Sequence, residues 1–171
     1  IRQIPGITGV VATLMDMQAG EVWPEDQIQA MKKQVDDAGL RMDVIESVNV
    51  HEDIKLGGGR RDEYIENYIA TIRRLANVGV KVICYNFMPV FDWIRSDLAK
   101  PLTDGSTALA YDGDRIESAD PLRLVESFAK ESGGFSLPGW EPERLKELTV
   151  LFDKYRHMDA DKLFDHLGYF L

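Results

Sequence analysis

Carboxylates, an imidazole and an amide stand together in the stretch Glu46-Ser47-Val48-Asn49-Val50-His51-Glu52-Asp53-Ile54-Lys55, directly after the short apolar run Met42–Ile45. A second, mostly apolar run, Val80–Cys84, ends in Tyr85 and Asn86. A charged or amide side chain closing an apolar run is costly unless it is paired or faces a polar cavity. Glu46 and Asn86 are therefore better read as ligand-facing groups than as structural ones. His51 is the best placed of the three histidines, because it follows a strand end, whereas His157 and His166 sit in helical stretches where packing suffices. A His-Glu-Asp run cannot bring three consecutive side chains onto one metal ion with good geometry. For Glu52 and Asp53 a salt bridge or helix cap is as good a reading as ligand contact.

These groups need elements to hold them. Residues 7–14, 41–46 and 80–86 are apolar and rich in β-branched residues, as buried parallel strands are. Between the first two, Pro24 with Glu25 and Asp26 opens a helix carrying Ile28, Met31 and Val35, and Gly39 closes it. Between the second and third lies a polar loop, Ser47–Arg61. A helix follows from about Asp62 to Asn77 with Tyr64, Tyr68, Ile72 and Leu75 along one face, closed by Gly79. Strand–helix–glycine–strand thus occurs twice, the signature of consecutive parallel βα units. In such folds ligands gather at the carboxyl ends of the strands, which puts Glu46, His51 and Asn86 on one face. The runs are apolar throughout rather than alternating. That favours a barrel over an open doubly wound sheet, the alternative reading.

After Asn86 the pattern changes. Thr103-Asp104-Gly105-Ser106 is a turn signal between 98–102 and 107–111, which predicts a small β-hairpin. Helices are expected over about 121–131, 143–155 and 159–171, with a Gly/Pro-rich connector at 132–140. Residues 87–156 therefore read as a helical and hairpin insertion within a single domain spanning 1–171. Trp93 and Tyr85 have the shape to wall a pocket, though core packing is the default for both.

The 171 residues suffice for one core, and 44% hydrophobic content is that of a globular chain. A net charge of −9 argues against binding nucleic acid through a basic surface. The single cysteine, Cys84, excludes an internal disulfide, suits a reducing cytoplasm, and reads as a buried thiol rather than a nucleophile. No apolar run approaches a membrane span, and no secretory signal is visible. Gly57-Gly58-Gly59 lacks the Lys-Ser/Thr ending of a phosphate loop and reads as a flexible loop. The chain opens on Ile1 and closes on Tyr169-Phe170-Leu171 at the end of an amphipathic helix, which suggests a piece of a longer protein.

Three segments carry a family resemblance. The stretch 46–55, the stretch Cys84-Tyr85-Asn86-Phe87-Met88-Pro89-Val90-Phe91-Asp92-Trp93 and the segment Asp104-Gly105-Ser106-Thr107-Ala108-Leu109 resemble mannonate dehydratases, and Gly20-Glu21-Val22-Trp23 fits as well. The resemblance covers essentially the whole chain. It implies part of a (β/α)₈ TIM barrel of the xylose-isomerase-like type and a divalent cation, manganese or iron. It also implies dehydration of D-mannonate to 2-keto-3-deoxy-D-gluconate in hexuronate breakdown. Such chemistry suits a cation, because the proton alpha to a carboxylate is weakly acidic and its removal builds an enediolate needing charge stabilisation. A general acid then protonates the departing hydroxyl.

The resemblance further implies that the metal ligands and catalytic residues lie on later strands, beyond the position of Leu171. No catalytic and no metal-ligating residue is therefore assigned in this chain. Glu46, His51 and Asn86 are the expected substrate-binding residues. The expected partner is a small sugar acid, with neither nucleic acid nor membrane, and a homo-oligomer is compatible with the family. An isomerase or epimerase on the same barrel, and a non-catalytic remnant, are the competing readings.

Overall fold

The computed structural model describes residues 1, 3–90, 95–114 and 150–171. The three apolar runs form one parallel sheet, in order β1 (Gly9–Ala12), β2 (Arg41–Asn49), β3 (Val82–Asn86). Helix α1 (Glu25–Asp37) connects β1 to β2, and α2 (Glu52–Leu56) and α3 (Arg61–Asn77) connect β2 to β3.

Register explains why these strands are apolar on both faces. Ala12, Ile45 and Ile83 are partners across the sheet and pack in the core with Leu75 and Val48. One residue away, Val11, Val44 and Val82 form a second row on the opposite face. There Val11 is 57% and Val82 51% exposed, while Ile45 is 0% exposed. The helices cover one face of a sheet whose other face is also apolar.

Helix ends follow local chemistry. Gly39 and Gly79 take left-handed φ values of 70° and 91°, so each turns the chain out of its helix and into the next strand. The amide of Leu40 donates to Val35 O, and that of Val80 to Leu75 O, closing both ends alike. On α3 the buried face differs from the expected one. Thr71 is fully buried and Ile72 is 39% exposed. At about 100° per residue, positions 64, 68, 71 and 75 lie within about 60° of one another, while 72 lies about 40° beyond. Thr71 is tolerated inside because its hydroxyl accepts from the Trp23 amide at 3.2 Å and donates to Asn67 O at 3.0 Å.

Strand and loop limits also differ from the sequence reading. Strand β2 runs through Asn49, with a register shift between Ile45 and Val48, so Ser47–Asn49 are strand rather than loop. The remainder of the expected loop contains α2. Gly57 caps that helix in the left-handed region, and a Cβ on Gly58 would fall 2.6 Å from Asp53 Cγ. These two glycines are thus a helix stop required by close contacts rather than a merely flexible loop.

Helix α4 (Ala160–Phe170) starts at Asp159, whose carboxylate accepts from the Lys162 amide at 2.8 Å. That bond holds the Asp159 carboxyl below the usual carboxylate range. The helix packs on α2, where His166 Nδ1–H donates to Lys55 O at 2.7 Å, and reaches the start of α3, where Tyr169 donates to Asp62 at 3.1 Å. Phe170 enters an aromatic cluster with Tyr68, Tyr85 and Phe87.

Contacts divide the chain into two compact units, Ile1–Phe87 with Met158–Leu171, and Met88–His157. In the second, β4 (Asp97–Pro101) and β5 (Thr107–Ala110) form an antiparallel hairpin. Its turn is held by Asp104, which accepts from the amide and hydroxyl of Ser106, bonds that lower its carboxyl below the usual range. Residues 150–155 are helical. The expected helix over 121–131, the connector 132–140, most of the helix over 143–155 and Trp93 lie outside the described residues.

Inside α2, Lys55 is 5% exposed and its ammonium meets Glu52 at 3.0 Å. Removing Glu52 leaves the ammonium of Lys55, whose side chain is 7% exposed, uncompensated in the interior. Removing Lys55 leaves the Glu52 carboxylate, 17% exposed and in the first turn of α2, where the helix N-terminus favours a negative charge. Glu52→Gln is therefore expected to lower stability by about 2 kcal/mol, and Lys55→Met by less than half of that. Urea unfolding of the two variants checks the asymmetry; equal losses would show that the pair carries no such charge penalty.

Candidate substrate site

Each strand delivers a hydroxyl or amide to the carboxyl edge of the sheet. Thr13, just past β1, donates its hydroxyl to Ser47 O at 3.1 Å. The Asn86 amide at the end of β3 donates to Ser47 Oγ at 2.9 Å, and Ser47 Oγ donates to Asn49 Oδ1 at 3.3 Å. Asn49 and Asn86 are register partners, so their side chains leave the same face. The result is a line of neutral donors and acceptors across all three strands.

Beside this edge lies a small, partly solvent-open cleft with about 10 Å³ of enclosed space, room for about one water molecule. The loop before α1 supplies Met17, Gly20 and Trp23; β2 supplies Val48 and Asn49; His51, Tyr64 and Tyr68 close the helical side. His51 is the N-cap of α2, its Nδ1 accepting from the Asp53 amide at 3.0 Å. Its ring stacks on Tyr64 with centroids 3.8 Å apart, and the Arg60 guanidinium lies 4.6 Å from the Tyr64 centroid. Gly20 makes the stack possible. A Cβ there would fall 2.5 Å from Tyr64 Cδ1 and 3.2 Å from His51 Cδ2. The Asn67 amide fixes this loop by donating to Gly20 O at 2.8 Å. At the bottom, burial pushes the Tyr68 phenol well above its ordinary value, with Cys84 and Tyr85 adding to the effect, so Tyr68 stays neutral and donates to Val48 O at 3.3 Å.

The three expected residues occupy different places. His51 lines the cleft. Asn86 is linked to it through Ser47 and Asn49. Glu46 is exposed and stands outside the cleft lining. Asn49 is the amide of the 46–55 stretch, and Thr13 and Ser47 join the polar line beside it without a distinguishing signal in the sequence. Tyr64 and Tyr68 read there only as a helix face. Their role depends on the loop carrying Gly20, whose contact with α3 spans 47 residues.

Among the described residues, no three of His, Cys, Asp and Glu gather where they could hold a metal ion. His51 Nδ1 serves the α2 cap, and His166 Nδ1 bonds Lys55 O. The described side chains do not fit a divalent cation by themselves, and no reaction step is derived through one. No helix among the described residues is long and apolar enough to cross a membrane.

Comparison with known proteins places this geometry in a family. The family model described as D-mannonate dehydratase (UxuA) matches residues 1–171. A mannonate dehydratase of Thermotoga neapolitana is 57% identical over all 171 residues, and that of Brachyspira hyodysenteriae is 54% identical. In both cases the chain covers 48% of the relative's length, so it spans about half of the curated proteins it matches. Among solved structures, the mannonate dehydratase from Streptococcus suis serotype2 superposes with a TM-score of 0.79 at 40% identity, covering 99% of this chain and 42% of that one. Because residues 1–171 of the chain all match this family model, the chain belongs to the D-mannonate dehydratase family.

Proposed function

We propose that the protein containing this chain dehydrates D-mannonate to 2-keto-3-deoxy-D-gluconate, and that this chain builds one wall of the substrate pocket. The observation that carries the reading is similarity along all 171 residues to proteins named mannonate dehydratase. The polar line at the strand ends suits such a substrate, since each hydroxyl of a sugar acid needs both a donor and an acceptor. Glu46, His51 and Asn86 are the proposed substrate contacts.

The same reading makes the parallel sheet the first part of a (β/α)₈ barrel, with the Val11–Val44–Val82 row turned toward the interior. A parallel sheet apolar on both faces is normally covered on both. A divalent cation, manganese or iron, belongs to the reading as well, as does a cytoplasmic location, which suits a single unpaired cysteine. The chain's own residues would orient the acid: the Asn86 amide and the hydroxyls of Ser47 and Thr13 are neutral, so they position oxygens without exchanging protons near neutral pH.

The test is conversion of D-mannonate by the full-length protein, followed as formation of the keto-deoxy acid. Aldose–ketose interconversion in its place would make the protein an isomerase. Asn86→Ala is expected to lower kcat/KM by about one to two powers of ten, because losing a hydrogen bond to a buried partner costs about 1–3 kcal/mol. Its melting temperature should fall only modestly. Wild-type kinetics with a greatly lowered melting temperature would make Asn86 a clamp between β3 and β2 and remove it from the site.

A further inference from the structure

Ser47 sits between two amides at the carboxyl edge of the sheet. Its Oγ accepts from Asn86 Nδ2 at 2.9 Å and donates to Asn49 Oδ1 at 3.3 Å. A hydroxyl has a single hydrogen, and here Asn49 receives it, so the two amides meet Ser47 by opposite ends. Asn86 turns its nitrogen to Ser47, and Asn49 turns its oxygen. The other end of the Asn49 amide is the Nδ2 amino group, with two N–H donors. Among the described residues it has no hydrogen-bond partner, whereas the Thr13 hydroxyl gives its hydrogen to Ser47 O at 3.1 Å. Asn49 is exposed at the strand end and lines the neighbouring cleft.

We propose that Asn49 is a substrate contact, donating Nδ2–H to an acceptor oxygen of the sugar acid, with Ser47 as the positioning residue that fixes which end of the amide is left for the ligand. This role rests on the reading of the strand edge as part of the substrate site. An amide free to turn over presents oxygen and nitrogen alike. With the Ser47 hydrogen held on Oδ1, the available end is a donor. A carboxylate oxygen can only accept, and a hydroxyl oxygen can accept, so both fit that end, and the neutral amide meets them without adding a charge.

Two positions divide the tasks. Asn49→Asp keeps an oxygen for the Ser47 hydrogen and replaces the amino group by a second oxygen, which repels an acceptor. In the full-length protein it should melt within a few degrees of wild type and lose about a hundredfold in kcat/KM for D-mannonate. Ser47→Ala leaves Asn49 in place but lets its amide turn, and should lose about threefold to tenfold. Ser47→Thr retains the hydroxyl and should recover most of that loss. Wild-type kcat/KM in Asn49→Asp would make the Ser47–Asn49 bond purely structural and overturn the contact. Equal kcat/KM in Ser47→Ala and Ser47→Thr would overturn the positioning role.

Nitrogen-15 spectra of asparagine-labelled full-length protein read the contact without turnover. The side-chain amide signal that disappears in Asn49→Asp should shift in the wild-type protein when D-mannonate or D-gluconate is added. If the full-length protein leaves D-mannonate unchanged, the reading of the reaction fails. The contact is then judged on this shift, and an unmoved Asn49 signal with both sugar acids overturns it.

Discussion

Gly20→Ala is expected to lower stability by about 3 kcal/mol and kcat/KM by at least about tenfold. Two costs add at this position. Its φ of +88° lies in the left-handed region, where a side chain costs about 1–2 kcal/mol. The added Cβ would also fall 2.5 and 2.7 Å from two ring carbons of Tyr64. That ring cannot yield freely, being stacked on His51 with Arg60 over it. Overpacking of this kind costs about 1–3 kcal/mol. The loop cannot simply back away either, because Asn67 holds Gly20 O at 2.8 Å. Whichever side yields, the His51 ring shifts, which links the stability loss to the site. Gly59→Ala is the control: a Cβ there meets nothing within 4 Å, and the change should stay within about 0.5 kcal/mol. Denaturant unfolding of both variants, with steady-state kinetics on the full-length protein, checks the pair. A Gly20→Ala protein as stable as Gly59→Ala would show that the loop relaxes away from the ring.

The second large effect lies in the core. Leu75→Ala should cost about 3 kcal/mol, the middle of the range for a fully buried leucine whose cavity collapses only in part. Leu75 is 0% exposed and packs with Ile45 and Val48 between α3 and the sheet. Ile72→Ala on the same helix removes a side chain of similar size, yet Ile72 is 39% exposed and should cost less than about 1 kcal/mol. The midpoint shift in urea for each variant decides between the two faces. Comparable losses would mean that Ile72 is covered in solution.

These paired residues mark the boundary between what the amino-acid sequence determines and what folding adds. Local chemistry determined the alternation of strand and helix. Pro24 with two acids after it opens a helix, Gly39 and Gly79 close helices with positive φ, and the apolar runs at Val11, Val44 and Val82 pair in parallel. The turn at Asp104-Gly105-Ser106 lies between the two strands of a hairpin for the same reason, since a side chain two residues away satisfies it. The motif residues also carried the family, because a run such as 46–55 is specific without any knowledge of where its side chains point.

Tertiary structure decided the rest. Thr71 rather than Ile72 is buried because the loop ending at Trp23 brings it a hydrogen-bond donor from 48 residues away. The Gly57-Gly58 pair became a helix stop through contacts with His166 and Asp53. His51 sits in the cleft, Asn86 reaches it through Ser47 and Asn49, and Glu46 lies apart, although all three follow apolar runs in the same way. Strand ends place side chains on an edge. Which of them meet depends on register shifts such as that between Ile45 and Val48, and on loops such as that carrying Gly20. Both are set by packing between segments far apart in the chain, and composition and periodicity carry no information about such contacts.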